Sequence, residues 1–400
     1  MSSPSASSNE LKTIVSNNKR RRDETLSPLG SAGPFFASSL TSSSFGLSSS
    51  LYMENLSMEI WKFYTSTKQS TLNYTKKLHL RNALHMVISG VFENAGLFIV
   101  GSSINGFGSH NSDMDMCLLV TSRNLHQKNE ATFILSQLLP SLKKCRFLHN
   151  FRLIRAKIPI IKFHDRHSSV DCDLNVNNVI GVYNTHLLAM YAKVDWRVRP
   201  LGIFIKYWAQ CLDIHDAQRG RLSTYSLLLM LIHYLQVGCS PPVLPNLQEK
   251  FPKLFNYNIS LPYKLDMCYQ LPWNELQSNN SLHLSELFIG FIDYYANRFD
   301  FNKWAISIRY TPSSSSSSST SSSSTATACL LKTVAIKHSS MNANIVMPIR
   351  NCKIFIEEPF TQTNTARSIH SDNIVLSIKN AFINTYTVLC LQQPLESLWS

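Results

Sequence analysis

The sequence lacks an apolar run long enough to cross a membrane. Its longest candidate, Tyr225–Leu235, is shorter than the roughly 18 residues that a membrane span requires, and it contains His233. The Ser-rich N-terminus also lacks the apolar region of a secretory signal. From the sequence alone we therefore expect a soluble intracellular protein without a membrane partner.

Closely spaced cysteine pairs and an excess of acidic residues are missing as well. None of the nine cysteines forms a Cys-x-x-Cys pair, so we interpret them as reduced, mostly buried thiols. The 25 acidic residues stand against 38 Lys and Arg residues, which gives a formal net charge of +13. This basic balance favours a polyanionic partner such as RNA, although charge alone does not identify it.

Composition divides the chain into segments. Residues 1–50 are rich in Ser and Asn without periodicity, which predicts a disordered tail. Within it, Lys19–Arg22 fits a nuclear import signal or, slightly better, a solvated charge run. Residues 51–182 combine helical and strand patterns, whereas residues 183–390 are mainly helical and contain a Ser-rich insertion, 311–327, predicted to be disordered. The fold class predicted is α+β.

The most informative stretch contains two short apolar runs joined by a loop of small residues. Leu97–Val100 and Met114–Val120 predict two strands. Gly101, directly after the first strand, lets the backbone approach a ligand closely. Ser102 offers an N–H and a hydroxyl to a phosphate.

A pair of carboxylates stands at the start of the second strand. Asp113 and Asp115 project to the same side because strand side chains alternate between faces. Two carboxylates that close repel each other unless a cation lies between them, and their hard oxygens suit Mg²⁺. A hairpin with a polar edge and a Gly-rich turn is the alternative, and an Asp-x-Asp pattern alone would favour it.

A third carboxylate is available further along the chain. Residues 170–176 alternate strictly, so Asp171, Asp173 and Asn175 share the face opposite the apolar residues. Geometry alone leaves Asp171 and Asp173 open as partners of the first two acids.

Periodicity predicts further elements. Strands are expected at Leu330–Ile336 and Lys353–Ile356, and helices from Leu56 to Phe63 and at Tyr74–Phe92, Ala131–Leu139 (ended by Pro140), Asn184–Lys193, Arg199–Leu212, Ser223–Gln236, Leu282–Phe299 and Arg367–Thr385.

The Gly101–Ser102 pair, a ten-residue spacer and the Asp-x-Asp pattern resemble the signature of the DNA-polymerase-β-like nucleotidyltransferases. Cys172–Asn178 is similar to that family's third-acid motif, with Asp173 in the acid position. The resemblance therefore favours Asp173, and we interpret Asp171 as a surface residue of the strand.

Further motifs resemble the non-canonical poly(A) polymerases and terminal uridylyltransferases, and specifically the cytoplasmic, germline-development type of poly(A) polymerase. They are Asn184–Thr185, Arg197–Pro200, Lys206–Ala209, Leu222–Ser226, Pro242–Leu247, Ile356–Phe360 and Thr363–Arg367. The resemblance implies a nucleotidyltransferase catalytic domain at 51–182, with an antiparallel-rich mixed sheet and helices on one side. A mainly helical poly(A)-polymerase-associated domain at 183–390 would follow, with the catalytic cleft between the two.

The same resemblance implies a role for each candidate residue. The three acids, Asp113, Asp115 and Asp173, would hold two Mg²⁺ or Mn²⁺ ions that promote attack of the RNA 3′ hydroxyl on ATP. Contacts to the nucleotide would come from Gly101, Ser102, Lys206 and Thr224 for the phosphates, Asn184 for the ribose, Tyr225 stacked on the base, and Glu358 on the base edge.

Substrate choice is inferred from an absent histidine. Uridylyltransferases of the group carry one shortly before the arginine that corresponds to Arg367, and here Thr363–Asn364 occupies that place. ATP is therefore favoured as the substrate, with a terminal uridylyltransferase as the alternative.

Two further functions are alternative hypotheses. A catalytically inactive scaffold protein stays open because Gln210 stands where some relatives carry a lysine. An oligonucleotide synthetase is disfavoured by the motif after residue 353.

An RNA-recognition signature is missing. The basic residues near 193–221 can supply phosphate contacts, which are not sequence-specific. We therefore expect weak intrinsic RNA binding and recruitment by a separate RNA-binding protein.

Overall fold

The computed structural model describes residues 44–256, 269–309, 330–333, 335 and 352–399. The predicted tail up to residue 43, the basic block Lys19–Arg22 and the Ser-rich insertion 311–327 lie outside the described residues. The first helix, α1 (Ser44–Thr67), begins inside the segment predicted to be a tail. Once a helix is nucleated each added residue gains a hydrogen bond, so the Ser-rich stretch extends the apolar helix that follows it.

The described residues from Tyr52 onward belong to one compact unit. Its first half contains a five-stranded sheet built from β1 (Gly96–Val100), β2 (Met114–Leu119), β3 (Leu148–Ile154), β4 (Ile160–Asp165) and β5 (Val170–Val176). The strand order is β1-β2-β5-β4-β3. Within this sheet β2 and β5 run parallel, and the other neighbours are antiparallel. This confirms the antiparallel-rich mixed sheet.

Helices cover both faces of the sheet. On one face lie α2 (Thr71–Ser89) and α4 (Thr132–Lys143), whose Leu84 and Leu135 pack with Met116 of β2. On the other face α5 (Val179–Val194) packs Val182 against Cys117. The prediction of helices on one side only is therefore wrong, because β2 is apolar on both faces and needs cover on each.

Helix α4 continues through Pro140, where we predicted its end. The proline is exposed, and Leu142 beyond it is buried on the same side as Leu138. Burial of that further leucine offsets the backbone hydrogen bond that proline cannot donate. A short helix, α3 (Ser102–Asn105), follows β1, and a π-helical turn, Gln127–Ala131, precedes α4.

The second half is mainly helical, as predicted. Its helices share one apolar core that includes Trp208, Phe291 and Phe382. They are α6 (Val198–Cys211), α7 (Thr224–His233) with its π-helical continuation Tyr234–Gly238, α8 (Leu247–Lys250), α9 (Trp273–Leu276), α10 (Leu284–Asp293) with its continuation Tyr294–Arg298, and α11 (Asp372–Cys390). Short 3₁₀ turns are Ala217–Arg219 and Leu395–Leu398.

Several boundaries differ from the prediction. Helix α5 begins at Val179 rather than Asn184, and it runs without a break across the predicted domain boundary at 182/183, so that division stays a prediction. The closing helix begins at Asp372, not at Arg367. Among the described residues no helix has the length and hydropathy of a bilayer span.

The two predicted late strands are also wrong in extent. Of the described residues in the first, 330–333 and 335, only Leu330–Leu331 form a strand, β7, which pairs with β6 (Trp304–Ala305). The second, Lys353–Ile356, forms no strand: Ile356 makes an isolated bridge to Ile306. Ile354 and Phe355 are buried in two different apolar clusters, so packing, not strand pairing, accounts for the apolar pattern.

Candidate active site

Three carboxylates lie on or directly before the two parallel strands, β2 and β5. Asp115 on β2 is paired in register with Asp173 on β5, and Asp113 immediately precedes β2. Asp171 is exposed, and its Oδ1 lies 2.7 Å from Nδ1 of His164. The register therefore selects Asp173, rather than Asp171, as the neighbour of Asp115.

Burial and neighbouring charges raise the pKa of two of these carboxylates, Asp115 and Asp173. Burial, then Asp173 and Asp113, raise the pKa of Asp115 to about 6. Burial also raises the pKa of Asp173, although Lys162 opposes it through an ion pair of 3.0 Å from Nζ to Oδ2. Asp115 and Asp173 are thus held in an environment that disfavours their charged form.

The donor set fits a divalent cation, although it is not fully assembled. Oδ1 of Asp173 is buried and has no hydrogen-bond partner among the described residues. Among the described residues, no three acidic, His or Cys side chains already form a complete ligand set, and Asp173 is turned toward Lys162. A cation bound here would satisfy the unpaired oxygen and reduce the repulsion, so we expect it to draw the carboxylates together.

Gly101 lies against the acids. Its φ of +69° is in the left-handed region, and a Cβ at this position would lie 2.7 Å from Oδ2 of Asp115. Its N–H is already donated to Oγ1 of Thr185, at 2.8 Å. Gly101 therefore leaves space beside Asp115, as close backbone approach requires, and Ser102, the first residue of α3, lines the same cavity.

A cavity of about 400 Å³ joins the predicted residues of the sheet and of the helices. Its lining includes Gly101, Ser102, Asp115, Asn184, Lys206, Thr224 and Tyr225. Burial lowers the pKa of Lys206, and Asp113 opposes that shift. In the described part of the chain the Lys206 ammonium makes no hydrogen bond, so it is available to an anion in the cavity.

A second cavity, of about 1140 Å³, adjoins the first through Asn184, which lines both. The Tyr225 hydroxyl lies 2.7 Å from Oδ1 of Asn184 and 3.4 Å from Oε1 of Glu358. Oε2 of Glu358 accepts hydrogen bonds from the Thr361 hydroxyl at 2.5 Å and from the Phe360 N–H at 3.2 Å. Burial raises the pKa of Glu358, whereas these hydrogen bonds lower it.

Sequence reasoning missed several polar residues of the site. Thr185 holds Gly101, Lys162 pairs with Asp173, and Nε2 of His215 lies 2.7 Å from Oγ1 of Thr224. Asn175 lines the first cavity, and its buried Oδ1 has no hydrogen-bond partner in the part of the chain that the structure describes. The shared face of Asp173 and Asn175 was visible in the sequence, whereas the other contacts depend on strand register and helix packing.

Two family models match the chain. The model described as "Poly(A) RNA polymerase, mitochondrial-like, central palm domain" matches residues 56–193, which contain the three acids. The model described as "Cid1 family poly A polymerase" matches residues 283–364, which contain Glu358.

Curated relatives are similar over most of the chain. The poly(A) RNA polymerase gld-2 of Caenorhabditis elegans is 36% identical over 372 residues, and the poly(A) RNA polymerase GLD2 of Homo sapiens is 37% identical over 355 residues. Each match covers 86% of this chain. The chain spans 33% of the nematode protein and 66% of the human one.

Solved structures share the fold. The GLD-2 chain of a GLD-2/RNP-8 complex superposes with a TM-score of 0.71 at 35% identity, over 87% of this chain and 98% of that one. The Cid1 poly(U) polymerase with bound MgGTP superposes with a TM-score of 0.66 at 24% identity, over 86% of this chain and 98% of that one. The second similarity is one of fold alone.

Proposed function

The chain belongs to the GLD-2 family of poly(A) RNA polymerases, and from this premise we propose that it adds AMP from ATP to RNA 3′ ends without a template. The observation that carries the proposal is the pairing of Asp115 with Asp173 beside Gly101, at the end of a cavity that also contains Lys206. This arrangement supports phosphoryl transfer because it places acidic metal ligands and a phosphate-binding cation around one space.

The acids would hold the metal ions of the reaction. Asp113, Asp115 and Asp173 are the ligands that we propose for two Mg²⁺ or Mn²⁺ ions. When bound, these cations would lower the pKa of the RNA 3′ hydroxyl and neutralise charge on the triphosphate. Asp173 would orient the 3′ hydroxyl, and Lys162 would keep its carboxylate in position before the cation arrives.

The triphosphate would lie along Ser102, Lys206 and Thr224. The Lys206 ammonium supplies a point charge from a half-buried position, where an ionic contact is stronger than in bulk water. Thr224 supplies a hydroxyl whose orientation is set by His215. Gly101 leaves room for the phosphates to approach Asp115.

The base would stack on the Tyr225 ring and present its edge to Glu358, with Asn184 contacting the ribose. We propose that the Glu358 carboxylate accepts a hydrogen bond from the adenine amino group. The side chain of Asn364 cannot turn toward the base, because its amide bonds the backbone of Ile354 and Ile356. An imidazole that could select uracil is missing at Thr363–Asn364, which favours ATP over UTP.

Alanine at Glu358 should raise the KM for ATP with little change in kcat, because it removes the acceptor on the base edge. Glu249 also lines the second cavity and provides the matched control, E249A, for which we expect unchanged kinetics. Equal KM values for E358A and the unmodified protein would remove Glu358 from the proposed nucleotide site.

We also propose a partner protein and a location. The solved GLD-2 chain is part of a complex with RNP-8. By analogy, this chain would work with a separate protein that binds RNA and recruits it to transcripts. It would act in the cytoplasm, and also in the nucleus if Lys19–Arg22 directs import; deletion of residues 19–22 followed by imaging tests the nuclear part, which unchanged distribution would contradict.

Primer extension tests the activity. Purified protein, a short RNA with a free 3′ hydroxyl and Mg²⁺ are incubated with each nucleoside triphosphate separately, beside the D115A variant. Long products with ATP that are lost in D115A are expected. Preferential use of UTP would identify a terminal uridylyltransferase, and absence of product even with RNA tethered to the protein would identify a scaffold.

A further inference from the structure

Lys77 of α2 is a buried cation close to the acids. Its side chain is 1% exposed, although lysines are rarely buried unless they are paired. In the described part of the chain no carboxylate lies within ion-pair distance of its Nζ. The acceptors that satisfy it are neutral, and all but one belong to the loop between β1 and β2.

The ammonium connects the two ends of that loop. Nζ of Lys77 donates to Oγ of Ser103 at 2.8 Å, near the start of the loop, and to the carbonyl of Ser112 at 2.7 Å, near its end. Gln69 is the third acceptor, at 2.9 Å. Ser103 in turn donates from Oγ to the carbonyl of Asp113, at 3.0 Å. Lys77 and Ser103 therefore fix the backbone next to the first acid.

Asp113 depends on these bonds more than the other acids do. Asp115 and Asp173 are held in the sheet by the register of β2 and β5, whereas Asp113 precedes β2 and its side chain is exposed. Its backbone carbonyl accepts the Ser103 hydroxyl, and Nζ of Lys77 lies 3.5 Å from the same oxygen. A change at Lys77 or Ser103 would thus release one ligand of the site and leave the other two in place.

We propose that Lys77 is a positioning residue that holds Asp113 within reach of the cation shared with Asp115 and Asp173. The inference rests on the metal site of the proposed function. Lys77 acts from the protein side of the loop and does not touch the nucleotide. The positive charge of Lys77 by itself would repel a nearby metal ion. Removal of Lys77 should therefore weaken metal binding if its role is positioning, and strengthen it if only its charge matters.

Manganese binding separates the two effects without using activity. Free Mn²⁺ is measured by electron paramagnetic resonance while the full chain is titrated with the ion. Four purified proteins are compared: the unmodified protein, K77M, S103A and K332M. Lys332 provides the matched control, since it is 6% exposed and its Nζ donates to the carbonyls of Phe301 and Lys353. Circular dichroism and thermal unfolding verify that each variant is folded.

We expect K77M to raise the Kd for Mn²⁺ about tenfold and S103A several-fold, as is typical when a group that orients a metal ligand is removed. K332M should leave the Kd within about twofold. An unchanged Kd for Mn²⁺ in K77M overturns the proposal. A lower Kd in K77M together with an unchanged Kd in S103A also overturns it, because Lys77 would then act only through its charge. If K77M fails to fold, unchanged binding in S103A overturns it.

Failure of the metal site itself is distinguishable. If the unmodified protein binds no Mn²⁺, or if D115A binds it equally well, the proposed function is contradicted at its metal site. If the unmodified protein binds Mn²⁺ and D115A does not, the result for K77M and S103A concerns Lys77 alone.

Discussion

The acid end and the base end of the site differ in how well their polar groups are satisfied. At the acid end, burial and the neighbouring acids raise the pKa of Asp115, burial raises the pKa of Asp173, and one oxygen of Asp173 has no partner among the described residues. At the base end, Tyr225 links Asn184 to Glu358, whose carboxylate also accepts hydrogen bonds from the following turn. The acids of the first region are only partly neutralised by nearby lysines, whereas the polar groups of the second are already hydrogen-bonded.

This difference indicates where each ligand contributes. A cation at the acid end would offset repulsion that the fold tolerates without it, so metal binding and stability should be coupled there. A nucleotide base would meet side chains that are fixed before it binds, which reduces the entropy lost on binding. Four substitutions test the contrast.

The largest effect is expected at the acid end. D115A removes the carboxylate that is paired with Asp173, and loss of about 4 kcal/mol of transition-state stabilisation would lower kcat roughly a thousandfold. D171A is the matched control, because Asp171 is an exposed acid on the same strand as Asp173. Single-turnover AMP addition measures both; comparable losses in the two variants would contradict the assignment.

The same carboxylate should cost stability when no metal is present. The pKa of Asp115 is about 6 in the folded protein against 3.8 as its ordinary value. The folded state therefore binds the proton more tightly, and stability is highest below pH 3.8 and falls as the pH rises toward 6. Neutral D115N should escape this loss and be about 2–3 kcal/mol more stable than the unmodified protein at pH 7.5.

Urea unfolding in EDTA at pH 7.5 and at pH 4 measures this gain, which should nearly vanish at the lower pH. D171N is again the control. A D115N variant no more stable than the unmodified protein at pH 7.5 would show that the acids do not strain the fold.

At the base end, Y225F removes the hydroxyl between Asn184 and Glu358. Loss of this bridge should raise the KM for ATP about tenfold, with kcat nearly unchanged, because the cost of leaving buried polar groups unpaired is about 1–3 kcal/mol. Y207F is the control, because the Tyr207 hydroxyl forms its hydrogen bond with Cys211, and both residues belong to α6. A drop in kcat at constant KM would place Tyr225 in the chemical step instead.

The smallest effect is expected at Lys162, whose ion pair with Asp173 is partly exposed. In the absence of metal, K162M should lower the free energy of unfolding by about 0.5–1 kcal/mol. Saturating Mn²⁺ should recover most of the loss if the cation supplies the charge that Lys162 provides in its absence. A deficit of equal size with and without Mn²⁺ would contradict that exchange.

The acid end could be predicted from the sequence because its geometry is local. Alternation along Met114–Leu119 and Val170–Val176 places the acids on one face, and the spacing from Gly101 identifies the loop. What the sequence could not supply was the parallel pairing of β2 with β5, which decides between Asp171 and Asp173. The family resemblance favoured Asp173 from the sequence, and the register of β2 with β5 agrees with it.

At the base end, the identities of the residues could be predicted from the sequence, but their spatial arrangement could not. Asn184, Tyr225 and Glu358 come from three distant segments, and no periodicity connects them. Buried cations were missed for a related reason. Lys77 lies at helical spacing from Leu80 and Leu84, but a lysine in such a position is usually solvated, and its burial depends on acceptors that lie mostly in the loop between β1 and β2.

Anomalous X-ray scattering tests the central claim most directly. Crystals grown with Mn²⁺ and a non-hydrolysable ATP analogue would be measured at an energy where manganese scatters anomalously. The account predicts two anomalous peaks bounded by Asp113, Asp115 and Asp173, with Asp173 turned from Lys162 toward the metal. Clear density for the nucleotide without manganese peaks among these three carboxylates would contradict it.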